Sequence, residues 1–243
     1  MGQLAVIATT WRRLHRLPVT LLALQDQTFK DFSLFVWNNN AEPGQQQLVD
    51  HVCSRCEGVD ISTIHSYANM SCRGRQLLAR RLHIKHGYKY VVFLDDDLQI
   101  TPTTLESLWE ERQPTTIVSP MVWKAGGPAV WPKADAYPGE YGFYAQSCGA
   151  IVDASLFAYN QYWALWPQRY WTLDDIWMSA MANSLGWRIM RSSIKLIYDA
   201  SALDPNARSE DQNHKTLWRE FAAMQFNPQP GRFGIPLYER GLP

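Results

Sequence analysis

Apolar residues in the first hundred positions fall into short runs separated by longer amphipathic stretches. Residues 3–8, apolar from Leu4 to Ala8, read as a short buried strand, and Thr9 to Arg13 then make a turn. A helix is expected over 13–24, where Pro18 either opens the main portion or kinks it. Residues 32–37 are apolar and β-rich and stop abruptly at Asn38-Asn39-Asn40. A helix over 44–56 and a short strand over 59–65 follow. Residues 73–86 place Leu77, Leu78, Leu82 and Ile84 among basic side chains, which predicts an amphipathic helix closed by Gly87. The run 90–94 is the next buried strand. Strand and helix in strict alternation predict an α/β fold with a mainly parallel sheet and right-handed crossovers.

The second half loses that regularity. A helix is expected over 104–112, a strand over 116–121 and a Gly- and Pro-rich loop or hairpin over 124–142. A strand over 149–152, a helix over 173–185 and a strand-like stretch over 187–198 come next. Residues 200–215 are polar and contain Pro205, which predicts a mobile segment. A short helix over 217–225 and an irregular tail from 227 complete the chain. No internal repeat or interdomain linker stands out. The expectation is one domain over 1–243, with a nucleotide-binding half over 1–100 and a smaller, acceptor-side region over 101–243 that ends in the mobile segment.

Composition narrows the function. Apolar residues make up 46% of the 243, enough for a packed core. Lys plus Arg equals Asp plus Glu at 23 each, so no global basic field points to nucleic acid. No stretch has the ~20 apolar residues of a membrane-spanning helix, and the N-terminal run lacks a cleavage site. A cytoplasmic protein is expected, with peripheral membrane contact left open. The single C-x-x-C of Cys53 and Cys56 has no second ligand pair for zinc, so the four cysteines are read as free thiols.

Asp95-Asp96-Asp97 stand at the tip of the apolar run 90–94. Three adjacent like charges at the end of a buried strand need a positive partner. Carboxylate oxygens suit Mn²⁺ or Mg²⁺, which commonly also holds substrate phosphates. The competing account is a helix cap in a solvated acidic turn. Asp174-Asp175 open a later helix just after the aromatic pair Tyr170-Trp171. Capping explains them as helix starters, while a carboxylate near a metal-bound phosphate can also deprotonate an acceptor hydroxyl. Of Arg73, Arg75, Arg80 and Arg81, most belong to the helix's solvent face, and Arg75 and Arg80 are taken as diphosphate contacts. Thr9 and Asn38 lie at strand ends, where such sheets bind ligands. His214 is either an exposed loop residue or a metal ligand. The pairs His83/His86 and His51/His65 have no carboxylate at a convincing spacing and are read as surface residues. Trp131, Tyr141, Tyr144 and Trp171 are acceptor-cleft candidates, with core packing as the plainer assignment.

With these residues in view, the chain resembles the GT-A class of nucleotide-sugar glycosyltransferases, and its family 2 branch in particular. Leu4 to Thr10 followed by Arg12, and then Leu24-Gln25-Asp26-Gln27-Thr28, look like that class's opening strand and helix. Phe32 to Asn39 resembles its second strand, with Asn38 or Asn39 where an acidic residue commonly reads the base. Ala79-Arg80-Arg81 is similar to an Ala-Arg-Asn in the following helix. Tyr90 to Asp97 matches the strand that carries the D-x-D motif, Ser147-Cys148-Gly149-Ala150 the small-residue segment beside the acceptor, and Asp174-Asp175 the later acidic pair. The likeness covers about residues 3–198. It implies a GT-A, Rossmann-like fold, a nucleoside-diphosphate sugar donor (a UDP-sugar first), a glycan or other hydroxyl acceptor, and Mn²⁺ or Mg²⁺. By the same resemblance Asp95 and Asp97 serve ribose and metal, with Asp97 the best metal ligand and Asp96 their neighbour. Asp175 or Asp174 is the base of an inverting enzyme, and His214 adds to the metal. Asp174 to Met178 also looks like the acidic helix of retaining exostosin-like transferases. A nucleotidyltransferase would want a Gly-rich loop and Lys near the N-terminus, and a non-catalytic carbohydrate-binding module leaves the acidic strand end unexplained.

Overall fold

The computed structural model describes residues 3–96, 98–124, 134–164, 166, 168 and 171–198. Asp97, Trp131, Tyr170 and His214, the segment 200–215, the helix expected at 217–225 and the tail lie outside the described residues.

The first half alternates as its hydrophobic pattern requires. Strands β1 (Leu4–Thr10), β2 (Phe32–Asn38), β3 (Ile61–His65) and β4 (Tyr90–Asp95) are separated by helices α1 (Leu17–Gln25), α2 (Pro43–Ser54) and α3 (Arg73–His86). Pro18 lies in the first turn of α1, where its missing N–H costs nothing, so it opens the helix and does not kink it. β5 (Leu98–Gln99), α4 (Thr104–Glu111), β6 (Thr116–Ser119), β7 (Val122–Lys124), β8 (Ala134–Asp135), β9 (Tyr144–Ala145) and β10 (Ile151–Asp153) follow. The last elements are α5 (Asn160–Ala164), α6 (Asp174–Ser184), β11 (Arg188–Arg191) and β12 (Ile197–Tyr198).

Among the described residues seven strands form the central sheet in the order β11-β6-β10-β4-β1-β2-β3. β1 pairs in parallel with both β2 and β4, and β2 in parallel with β3. The sheet is mainly parallel as expected, and the exception is β10, which runs antiparallel between β4 and β6. The strand-like stretch over 187–198 divides into β11, parallel to β6, and β12, antiparallel to β5. β7, β8 and β9 make a small antiparallel sheet.

Side-chain alternation sorts the sheet's two faces. Leu4, Val6 and Ala8 of β1, with Val92 and Leu94 of β4, pack against Leu17, Leu21 and Leu24 of α1, Val49 of α2 and Leu105 of α4. Ala5, Ile7, Val91 and Phe93 point the other way, onto Leu78 and Leu82 of α3 and Met178 of α6. The buried stripe of α3 is Gly74, Arg75, Leu78, Ala79 and Leu82, whereas Ile84, expected in the core, is 53% exposed. Helices α1 and α2 thus cover one face and α3 the other. The chain changes side between β1 and β4, and in an open α/β sheet such a switch point is where a crevice opens beyond the strand ends. The register sets Thr9 beside Asp95 at that point.

Candidate active site

A cavity of about 320 Å³ lies beyond these strand ends. Thr9, Asp95 and Asp96 come to it from β1 and the tip of β4, Arg75 from α3, and Asp174 and Asp175 from the start of α6. The two acidic groups found in the sequence, almost 80 residues apart, therefore share one cavity.

Arg75 joins them. Its side chain is only 4% exposed, and it donates from Nη2 to Asp174 Oδ2 at 2.8 Å, from Nε to the same oxygen at 3.2 Å and from Nη2 to Ser147 Oγ at 2.8 Å. Nη1 donates to Asp95 Oδ1. Most of its donors are thus spent on protein groups, and the two carboxylates hold its pKa well above the ordinary value against the pull of burial. The signal was legible: position 75 falls on the same helical stripe as Leu78 and Leu82. A charge on an apolar stripe needs a buried partner.

Asp174 and Asp175 sit side by side in different settings. Asp174 is 3% exposed, and its Oδ2 also accepts from Gln76 Nε2 at 3.3 Å and Ser147 Oγ at 3.1 Å. Asp175 keeps an edge open to the cavity. Its Oδ1 accepts from the Ser147 amide at 2.8 Å and from Ser147 Oγ, and its Oδ2 from Tyr144 Oη at 3.4 Å. Burial, and then the neighbouring Asp174, push its pKa from 3.8 to about 7, against the opposing pull of Arg75 and Ser147. Ser147, which donates to both carboxylates, belongs to the small-residue segment. There Gly149 takes φ +74 and donates to Phe93 O at 2.7 Å, which lays the segment against β4. The Asp95 amide donates to Cys148 Sγ at 3.3 Å. Ser147 is the functional residue that sequence reasoning placed beside the site without a role.

Asp95 is 33% exposed and so retains oxygen toward the cavity. Asp96 is 8% exposed, with its carboxylate bonded to Arg13 and its carbonyl accepting from Arg16 Nε at 2.7 Å. Hard carboxylate oxygen at Asp95 fits Mn²⁺ or Mg²⁺ in donor type. Among the described residues no three His, Cys, Asp or Glu side chains converge as ligands.

Asn38 is buried at 1%, bonds His65 Nδ1 at 3.1 Å and accepts from the Asn40 amide. Asn39 lines the cavity in place of Asn38, together with Asn69. It accepts from the Met70 amide at 2.8 Å and donates to Asn69 Oδ1 at 2.7 Å, which shapes the loop where Ser71 takes φ 52. Arg80 lies away from the cavity and donates to Asn160 Oδ1 at 2.8 Å. His65, read as an ordinary surface residue, has a carboxylate after all: Asp50 Oδ1 is 3.0 Å from its Nε2, because α2 packs across β3 and erases the sequence separation. Tyr141 is half exposed and accepts from Arg188. The four cysteines are free.

The model of glycosyl transferase family 2 matches residues 5–195. The chain belongs to that family. No curated protein sequence matches it. Its fold is that of solved GT-A-like structures. It is similar to the mannosyltransferase PcManGT from Pyrobaculum calidifontis, solved in complex with GDP-Man and Mn²⁺, at TM-score 0.61 and 14% identity, covering 90% of this chain and 61% of that one. It is also similar to S. aureus TarS, at TM-score 0.57 and 15% identity, covering 82% of this chain and 37% of that one. For TarS 1-349 in complex with UDP-GlcNAc the values are 0.53, 17%, 79% and 56%. The chain therefore spans about two fifths to three fifths of the length of these neighbours. Among the described residues no helix is long and apolar enough to cross a membrane.

Proposed function

We propose that the chain transfers a glycosyl group from a nucleoside-diphosphate sugar, a UDP-sugar first, to an acceptor hydroxyl, with Mn²⁺ or Mg²⁺ and with inversion. The observation that carries this reading is Asp175, a carboxylate with its pKa raised to about 7, open to the same cavity as the tip of β4. A general base works best with a pKa near the working pH. Asp175 takes the proton of the acceptor hydroxyl, the freed oxygen attacks the anomeric carbon, and the bond to the diphosphate breaks with its electron pair leaving on the nucleotide. Ser147 and Tyr144 hold Asp175 in place, and Arg75 fixes Asp174 and Asp95 around the reacting centre.

A bound divalent cation would neutralise the departing diphosphate. Asp95 is its described carboxylate, with Asp97 and His214 the further candidates from sequence. Arg12, stacked at 4.1 Å over the Trp11 ring, lines the cavity and supplies positive charge for phosphate. Asn39 and Asn69 form the edge on which the nucleoside rests.

The test is release of nucleoside diphosphate from UDP-, GDP- and dTDP-sugars with Mn²⁺ or Mg²⁺, together with a thermal-shift measurement. Metal-dependent stabilisation and slow hydrolysis of one donor are expected. Indifference to every donor with either metal rejects the reading.

A further inference from the structure

Arg73 opens α3 two residues before Arg75 and has none of Arg75's partners. Its guanidinium carbon lies 4.3 Å from the ring centroid of Trp171, 5.7 Å from Trp163 and 5.9 Å from Trp166. Two of the three rings are anchored: Trp166 stacks on the core residue Trp177 at 5.8 Å with planes 9° apart, and Trp163 Nε1 donates to Phe157 O at 2.8 Å. Ring faces attract the cation but offer no lone pair in the guanidinium plane. Among the described residues neither the buried Arg73 Nε nor the buried Trp171 Nε1 has a hydrogen-bond partner. Among the described residues no carboxylate pairs with Arg73. Burial lowers its pKa with no compensating neighbour, and it remains a cation at neutral pH.

Two buried donors left open in one aromatic cluster carry an unrecovered desolvation cost, which native structures avoid unless a partner fills them. The chain neighbours of this pair, Cys72 and Thr172, both line the donor cavity, and Trp171 comes four residues before Asp175. The cluster thus adjoins the cavity on the side of the base.

We propose that Arg73 and Trp171 form an acceptor subsite for an oxyanion, a carboxylate or a phosphate, carried by the acceptor close to its reacting hydroxyl. The oxyanion takes the open N–H groups of both residues, and the indole faces pack against the attached sugar ring. This subsite deepens the proposed transfer reaction and rests on it for the name acceptor.

The Trp171 indole Nε1–H is a direct reporter. In protein labelled with ¹⁵N at tryptophan, its resonance is assigned with Trp171→Phe and followed on titration with methyl β-glucuronide, glycerol phosphate and neutral methyl β-glucoside. A charged probe should shift the resonance at a concentration at least about tenfold below that of the glucoside. Arg73→Gln should abolish that preference, while Arg73→Lys keeps part of it. A response to glucuronide alone identifies carboxylate as the source, and one to glycerol phosphate alone identifies phosphate. Equal response to charged and neutral probes, no response to any, or an unchanged preference in folded Arg73→Gln overturns the subsite. UDP binding with Mn²⁺ on the same samples reads the donor site separately. Failure there with the anion preference intact overturns the transfer reading and leaves an anion site.

Discussion

Asp174 and Asp175 are adjacent carboxylates, yet replacing each by Asn should give opposite results. In Asp175→Asn the lost group is a carboxylate that the fold disfavours when ionised. Its pKa is raised in the folded state, so its contribution to stability is complete below 3.8 and is lost as pH rises through about 7. At about 1.36 kcal/mol per pH unit the ionised group costs up to about 4 kcal/mol above neutrality. Water at its open edge screens part of that cost. The advantage of Asp175→Asn over the wild type in urea denaturation should therefore be absent near pH 3.8, grow as pH rises toward 7, and reach on the order of 1–3 kcal/mol at pH 8. Its transfer rate should fall by about 10²- to 10⁴-fold while UDP and metal binding persist.

Asp174→Asn removes the partner of a cation that is 4% exposed. It should cost about 3–5 kcal/mol, because Arg75 is left with only Asp95 for charge balance. In whatever fraction folds, loss of the Asp174 charge should move the acid limb of the rate profile to lower pH, since that charge raises the Asp175 pKa. The wild-type rate should rise about tenfold per pH unit below about 7 and level off above it. Wild-type turnover in Asp175→Asn refutes the base assignment. An acid limb near pH 4 refutes the burial argument behind it.

Arg75→Met should lose about 3–5 kcal/mol in chemical denaturation, and adding Asp174→Leu should restore part of the loss, since an unpaired buried charge does the damage. In Gly74→Ala the new Cβ would lie 2.6 Å from the Trp37 ring, which must shift, and with it the bond from Trp37 Nε1 to Asn39. A loss of about 1–3 kcal/mol and weaker nucleotide binding by calorimetry are expected, and wild-type values for both would reject this route from helix to loop. Chelation should abolish release of nucleoside diphosphate, and Mn²⁺ should restore it; turnover that persists through chelation rejects the proposed metal dependence.

Strands β1 and β4 were readable because each is a short apolar run buried on both faces beneath helices, while β2 and the edge strand β3 are only partly buried and showed through their β-rich composition and bounding turns. Predicted bounds, such as 90–94 against Tyr90–Asp95 or 59–65 against Ile61–His65, differ by two residues at most. The placement of β10 was not readable, since a three-residue strand carries no sign of its partner or direction. Asp95 and Asp174-Asp175 stood out as charges next to apolar runs, but nothing local says that they share a cavity. That fact is held in contacts between residues 99 apart, from Arg75 to Asp174. Arg75 itself was visible as a charge on the core stripe of α3, and taking it as a phosphate contact overlooked what a buried guanidinium needs first. A cation with its donors filled by protein carboxylates has little left for a diphosphate, so its stronger role is to hold two acidic groups at a fixed separation. Arg73 argues the converse. On the same helix and with the same chemistry, it has three rings around it and, among the described residues, no acceptor, and an arginine so placed suits an anion from outside the chain.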